Sequence, residues 1–323
     1  MERNLALEFV RVTEAAAIGS SKWLGKGDKH RADEAAVKEM RERFANVEFN
    51  GKVVIGEGER DEAPMLFIGE RIGTGAGPEM DIAVDPLECT NSVAFGRPNA
   101  ISVLAAAPKG SLLGAPDTYM DKIAAGPEAK DAIDLDAPVR DNIRAVADAL
   151  GKEPQEVTVM VLERDRHQKL IQEIRDSGAR ILLIPDGDIA GAVAPSLPES
   201  GVDMLLGIGA APEGVIAAAA IKCLGGGFQG RLQLRNEKEE ERARQMGLSD
   251  LKRKLHLEDL AKGPHCIFAA TGVTDGPMLR GVQFRRNGII THSIVMRAKS
   301  RTVRFLQTFH HIGGSHDENT RPG

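Results

Sequence analysis

An α/β (α+β layered) fold built as two packed subdomains is predicted by three features of the sequence. The chain has 323 residues, beyond the size at which one hydrophobic core usually keeps growing. It opens with two stretches of apolar residues at helical spacing. From Val157 onward, strand and helix patterns alternate in the order VTVMVL, HQKLIQEIRDSG, RILLIP, DMLLGIG, EGVIAAAAIKCLGG, the mark of helices laid on an open sheet. The change of style puts the boundary between halves at 155/156, with the second half running to 314. SHDENTRPG (315–323) has no apolar content and is expected to be a disordered tail.

The elements follow in order. Leu5, Phe9, Val12 and Ala16 mark a helix within residues 1–23, and Ala35, Val37, Met40 and Phe44 a second one. The polar stretch GKGDKHRAD is the expected loop between them. Lys52–Ile55 predicts a strand ending in GEGERDEAP, and Asp81–Val84 a strand ending in DPLECTN. Ile101–Ala107 predicts another strand, and 139–150 a helix stopped by Gly151. NEKEEERARQMGLSDLKRKLHLEDLA carries opposite charges at i,i+4 and reads as one or two solvated helices with a connector. Cys266–Thr271 and His292–Met296 complete the expected strands, and there is no internal repeat.

Composition narrows the function. With 42% apolar and 28% charged residues the chain is an ordinary globular protein. A formal charge of −5 and 4% aromatics argue against a nucleic-acid partner. No run approaches the length of a membrane-spanning helix, and Glu2 and Glu8 interrupt the N-terminus where a signal peptide is apolar, so a cytoplasmic protein is expected. Cys89, Cys223 and Cys266 are far apart and odd in number, which predicts reduced thiols rather than disulfides or a paired-cysteine zinc site. A bound metal would therefore take oxygen ligands, as Mg²⁺ and Mn²⁺ do.

Acidic residues at strand exits form the most informative pattern: Asp33, Glu57, Glu59, Asp85 and Glu88 beside several glycines. Carboxylates gathered at one place repel unless cations neutralise them, and two Mg²⁺ or Mn²⁺ ions would do so. In DPLECTN a tight turn after Pro86 would bring Glu88 to the same side as Asp85. Thr90 is placed to orient a water, and the backbone N–H groups of the 89–91 turn to cradle a phosphate. Each motif by itself also fits a plainer reading, an Asx-type turn at Asp85-Pro86 and a solvated loop at Glu57/Glu59.

A bisphosphate needs a second anion site, which RDRH offers through Arg164 and Arg166 with Asp165 between them, unless these are ordinary surface arginines. PDGD offers Asp186 and Asp188 to sugar hydroxyls, or is simply an Asp-Gly turn. GIGAAPEG lacks the Lys-Ser/Thr of a P-loop, yet sets Glu213 at a helix N-terminus. Tyr119, the one tyrosine, either meets a phosphate or packs at the surface. The eight histidines contain no HExxH and read as surface or packing residues.

From residue 1 to about 310 the chain resembles the class II fructose-1,6-bisphosphatases, the bacterial type related to inositol monophosphatases and other lithium-sensitive phosphatases. KWLGKGDKHRAD, VIGEGERDEAPML, DIAVDPLECTN, APDTYMDKI, IPDGD, GIGAAPEG, ATGVTDG and KSRTVR carry the resemblance in that order. It implies a sugar-phosphatase fold of alternating helix and sheet layers and a cytoplasmic, gluconeogenic hydrolase that releases the C1 phosphate of fructose 1,6-bisphosphate. Two or more Mn²⁺ or Mg²⁺ ions per site are implied, as is a homodimer or homotetramer. By the same resemblance 1–155 is the metal-binding, catalytic half and 156–314 the sugar-phosphate half. Asp33 and Glu57 would hold one ion, Asp85, Glu88 and Glu213 the other, and Glu57, Asp85 and Thr90 would serve catalysis. Substrate would contact Glu88, Cys89 and Thr90, Tyr119, Arg164 through Arg166, Asp186, Gly187 and Asp188, and the backbone near Ala210.

Departures from the family pattern are Cys89 in a turn that usually holds glycine, Arg164-Asp165-Arg166 for Lys-Pro-Arg, and Ala210 for glycine. A thiol near metal ions can have a lowered pKa, so oxidation sensitivity at Cys89 is a secondary expectation. The rival readings are a dual fructose-1,6-/sedoheptulose-1,7-bisphosphatase and a catalytically silent sugar-phosphate-binding protein.

Overall fold

The structure is a computed structural model that describes residues 5–58 and 65–311. Its strands are β1 (Asn50–Ile55), β2 (Arg71–Ile72), β3 (Glu79–Glu88), β4 (Ile101–Pro108), β5 (Tyr119–Ala125), β6 (Thr158–Leu162) and β7 (Arg180–Ile184), then β8 (Met204–Ala210), β9 (Gly227–Gln233), β10 (Leu255–His256), β11 (Ile267–Gly272), β12 (Gln283–Arg285), β13 (Gly288–Arg297) and β14 (Thr302–His311). The helices are α1 (Leu5–Ser21), α2 (Lys29–Phe44), α3 (Thr90–Phe95), α4 (Val139–Leu150), α5 (Gln168–Asp176), α6 (Asp188–Val193), α7 (Ala211–Leu224), α8 (Glu237–Gln245) and α9 (Leu257–Leu260).

Two sheets form. The first runs β13-β11-β4-β3-β1-β2, with β12 and β14 also paired to β13; the second runs β10-β9-β5-β8-β6-β7. Within them β1 and β3 are parallel, as are β6, β7 and β8. Period-two alternation in the first sheet separates its two faces. Ile82, Val84, Leu104 and Ala106 pack under α1 and α2, whereas Ala83, Val103 and Ala105 face the middle layer. That layer is α6 and α7. Ten of the 14 residues of α7 are buried and none is exposed, as required of a helix pressed between two sheets, and its Ala217–Ala220 run lets both backbones approach. On the far side α4 and α5 seal Val159, Val161, Met204 and Leu206 of the second sheet. The order of layers is therefore helix, sheet, helix, sheet, helix, in agreement with the layered α/β expectation.

Four details differ from the sequence reading. Helix α2 begins at Lys29 because Asp28 caps it, its Oδ1 accepting from the Arg31 N–H at 3.1 Å; the loop is shorter than GKGDKHRAD, and Asp33 lies on the helix. Strand β3 continues through Pro86, with its register against β4 slipping between Asp85 and Glu88, so a bulge, not a tight turn, aims these side chains. The charged segment is docked: Glu239 and Ala243 of α8 are buried. The sheets also interleave across the 155/156 boundary, since β5 belongs to the second sheet while β11–β14 return to the first. Glu59 and the 315–323 tail lie outside the described residues.

Candidate active site

Both sheets turn the C-terminal ends of their parallel strands toward one cavity of about 600 Å³, the place where open α/β sheets collect ligands. From the first sheet come Glu57 after β1 and Asp85 and Glu88 at the end of β3; Asp33 reaches in from α2 and Thr90 from the start of α3. From the second come Arg164 and Arg166 after β6, Asp186 and Asp188 after β7, Ala210 ending β8 and Tyr119 opening β5. Glu213, in the first turn of α7, lies between the two groups. Of the residues expected at the site, Cys89 also lines the cavity, while exposed Asp165 and buried Gly187 do not.

The acidic wall is electrostatically expensive. Burial, then Glu57, Glu88 and the other carboxylates nearby, hold Asp85 well above the usual range. Burial first, then hydrogen-bonded Asp33, pushes Glu57 to about 8. Asp33 rises to about 6, and burial lifts Glu213 to about 7 against the pull of Lys122. Glu88 is also pushed well up by burial, although its Oε1 accepts from the Ile189 N–H at 2.8 Å. Its Oε2 and the Oε2 of Glu213 are buried with no partner. Orphaned carboxylate oxygens among mutually repelling acids are the donor set a hard divalent cation takes. Among the described residues no three such side chains yet close on one point; the wall is a neighbourhood of oxygen donors rather than a finished coordination shell.

Strain sits at the hinge of this wall. Cys89 adopts φ 69°, ψ 51°, the left-handed region that glycine occupies without penalty. Burial and the charges of Glu88 and Asp186 push its thiol far up in the metal-free chain, where the carboxylates disfavour the thiolate; the expected lowering belongs to the state with cations bound.

The opposite wall is held by backbone acceptors. Arg166 donates from Nε and Nη2 to the Ile208 carbonyl at 3.1 and 2.7 Å, and Arg164 donates to the carbonyls of Glu163 and Pro185. Asp186 faces Arg164 at 3.6 Å and its carbonyl accepts from Asn99 Nδ2 at 3.1 Å. Gly187 has φ 98°, a conformation that strains any residue with a Cβ, and a Cβ there would also displace the Asn99 amide 2.1 Å away. Asp188 pairs with the fully buried Lys122, leaving less of it free for a sugar hydroxyl than the PDGD turn implied. His167, read as a packing residue, bridges β6 and β8: Nδ1–H donates to the Leu162 carbonyl at 2.7 Å and Nε2 accepts from the Ile208 N–H at 2.8 Å.

Sequence reasoning missed Asn99, Asp117, Lys122 and Arg242, of which Asp117 and Arg242 line the cavity. Lys122 carried a signal, being a cation on the same strand face as Met120 and Ala124. Arg242, inside EKEEERARQ, carried none.

Fold and cavity together define a layered α/β protein whose acidic cleft faces an arginine-bearing rim. The family model described as bacterial fructose-1,6-bisphosphatase, glpX-encoded, matches residues 3–310. Over 324 aligned residues, 97% of this chain and 96% of the relative, the chain is 48% identical to fructose-1,6-bisphosphatase 1 class 2 of Escherichia coli K12. Identity and coverage are the same for the fructose-1,6-bisphosphatase class 2 proteins of E. coli O6:H1 strain CFT073 and Shigella flexneri. The chain belongs to the bacterial class II fructose-1,6-bisphosphatase family. Among the described residues no helix is long and apolar enough to cross a membrane.

Proposed function

We propose that this chain is a gluconeogenic fructose-1,6-bisphosphatase, transferring the C1 phosphoryl group of fructose 1,6-bisphosphate to water. The observation that carries the reading is the cavity in which orphaned, buried carboxylate oxygens face arginines, in a chain 48% identical to class 2 enzymes of that name. Asp33 and Glu57 would hold one divalent ion, Mn²⁺ or Mg²⁺, and Asp85, Glu88 and Glu213 would hold a second. When bound, such ions lower the pKa of a water and offset charge on the phosphoryl oxygens. The bulge after Asp85 and the left-handed Cys89 set the Thr90 hydroxyl beside this wall, where it orients the attacking water. Water attacks phosphorus, the bond between phosphorus and the C1 oxygen breaks, and the proton that the water gives up ends on the leaving C1 oxygen, giving fructose 6-phosphate and inorganic phosphate.

Arg164, Arg166 and Tyr119 bind the sugar phosphate, and the Cys89–Thr90 backbone contacts the reacting group. Gly187 lets Asp186 and Asp188 approach sugar hydroxyls, and the Ala210 backbone closes the cavity. Asp165, exposed outside the cavity, spaces the two arginines. Labour divides by sheet, metal binding to the first and sugar-phosphate binding to the second, and a cytoplasmic homodimer or homotetramer is the proposed working form.

Phosphate release from fructose 1,6-bisphosphate in Mn²⁺, Mg²⁺ or EDTA tests the reading. Turnover lost in EDTA and in Asp85→Ala is expected; metal-independent turnover, or none on this ester, overturns it.

A further inference from the structure

GIGAAPEG lacks the marks of a phosphate loop, and its glycines have a different use in the structure. Lys122 stands on β5 between Met120 and Ala124, on the strand face turned to the core beneath α6 and α7. Its side chain is 1% exposed. An ammonium buried to that degree persists only when an anion pairs with it, and Asp188 does so.

Bare backbone makes room for the pair. A Cβ at Gly209 of β8 would lie 1.9 Å from Asp188 Oδ2, and one at Gly214 of α7 would lie 2.8 Å from Met120 Sδ and 3.3 Å from Lys122 Cε. Both glycines belong to GIGAAPEG, so that segment closes on the carboxylate and the lysine from two sides.

Asp188 is also fixed through the main chain, because the next peptide, Ile189 N–H, donates to Glu88 Oε1 at 2.8 Å. With Oδ2 facing Lys122, Oδ1 is the oxygen left for a ligand in the cavity that Asp188 lines. Packing does not call for a lysine here, since Met120 and Ala124 serve the core from the same strand face. Lys122 itself does not line the cavity, and its route to a ligand is the carboxylate it holds.

Resting on the proposed substrate, we infer that Lys122 is a positioning residue for sugar recognition: it aims the Asp188 carboxylate so that Oδ1 accepts from one hydroxyl of the sugar. Gly209 and Gly214 are the openings that this pair requires.

Fructose 6-phosphate carries the sugar without the reacting phosphate, so titration calorimetry with it in Mg²⁺ reads the contact without turnover. Lys122→Met keeps the stem and removes the charge, and it should weaken binding about tenfold, as should Asp188→Asn. Lys122→Gln, a shorter side chain that still donates, should weaken it about threefold, and it serves where the methionine variant does not fold. The double variant Lys122→Met/Asp188→Asn should bind within about twofold of Asp188→Asn, because nothing is left to position. Lys152→Met breaks another partly buried pair, with Asp203 at 2.6 Å and away from the cavity; it should lower Tm yet bind like wild type. Folded Lys122→Met or Lys122→Gln that binds like wild type overturns the inference, as does a double variant in which the two single losses multiply, or wild type that does not bind fructose 6-phosphate. A changed Mg²⁺ requirement with unchanged sugar-phosphate binding would put the influence of Lys122 on Glu213 and also overturn it. If wild type binds fructose 6-phosphate through this pair yet releases no phosphate from the bisphosphate, the inference stands and the proposed reaction falls.

Discussion

The two walls of the cavity are built by opposite rules. On the first-sheet side, buried carboxylates raise one another's pKa values and leave Glu88 Oε2 and Glu213 Oε2 without partners. On the second-sheet side the arginines donate to Ile208, Pro185 and Glu163 carbonyls and stack on Tyr119. The wall proposed for cations keeps oxygens unsatisfied and tolerates the repulsion. The wall proposed for phosphate satisfies part of Arg164 and Arg166 in advance, so that little side-chain freedom remains to be lost on binding. The first wall is unstable until filled; the second is pre-organised.

Asp85→Asn should break the contrast most strongly. The amide keeps the shape and removes one donor, so phosphate release with Mn²⁺ should fall by about 10³-fold or more. The metal-free protein should gain stability, on the order of 1–2 kcal/mol in urea unfolding, because a buried charge facing like charges has gone. Loss of both activity and metal-free stability would show that Asp85 supports the fold rather than the ion.

Metal and pH together separate the walls next. Burial raises Asp33, Glu57 and Glu213 above their unfolded values, to about 6, 8 and 7. Their contribution to metal-free stability is therefore complete below pH about 4 and is lost as pH climbs through 6 to 8. Cations need the deprotonated forms, so affinity rises over the same window. In thermal melts, Mn²⁺ should raise Tm little at pH 5.5 and by several degrees at pH 8.5, with the EDTA sample weakening between the two. A metal effect independent of pH would remove the acidic wall from the account.

A smaller effect is expected from Arg166→Lys. The lysine keeps the charge but loses the two-donor grip on the Ile208 carbonyl and the guanidinium's cation–π contact with the Tyr119 ring. KM for the bisphosphate should rise about tenfold with kcat little changed. An equal fall in kcat with unchanged KM would move Arg166 from substrate binding to the chemical step.

The same contrast explains what the sequence made legible. The acidic wall comes from compact motifs at strand exits, GEGERDEAP and DPLECTN, where unusual acidity next to a predicted strand is visible locally. The helix-covered sheet of the second half was readable too, since β6–β8 alternate with helices. The basic wall draws on distant segments: Asn99 from the loop after α3, Lys122 from β5, Arg242 from α8. Asn99 and Lys122 meet Asp186 and Asp188, 87 and 66 residues further along the chain, and an arginine in a charged run looks the same whether it faces solvent or a cavity. The interleaved sheets escaped for a related reason, because periodicity identifies a strand but not its partner.

Cys89 carries the smallest expected effect and sits where the walls meet. At φ 69° it holds a conformation costing about 1–2 kcal/mol for a residue with a Cβ, which Cys89→Gly would relieve. The same change removes a buried side chain and frees the unfolded chain, each worth about 1 kcal/mol in the other direction. Net stability should therefore shift by less than about 1 kcal/mol, whereas Cys89→Val, β-branched in the left-handed region, should cost about 2 kcal/mol. Since burial and the neighbouring carboxylates hold the thiol protonated, peroxide should inactivate wild type and Cys89→Gly at the same rate. Slower inactivation of the glycine variant would mean that the thiolate forms despite the acidic wall, which requires bound cations to have already reversed its field.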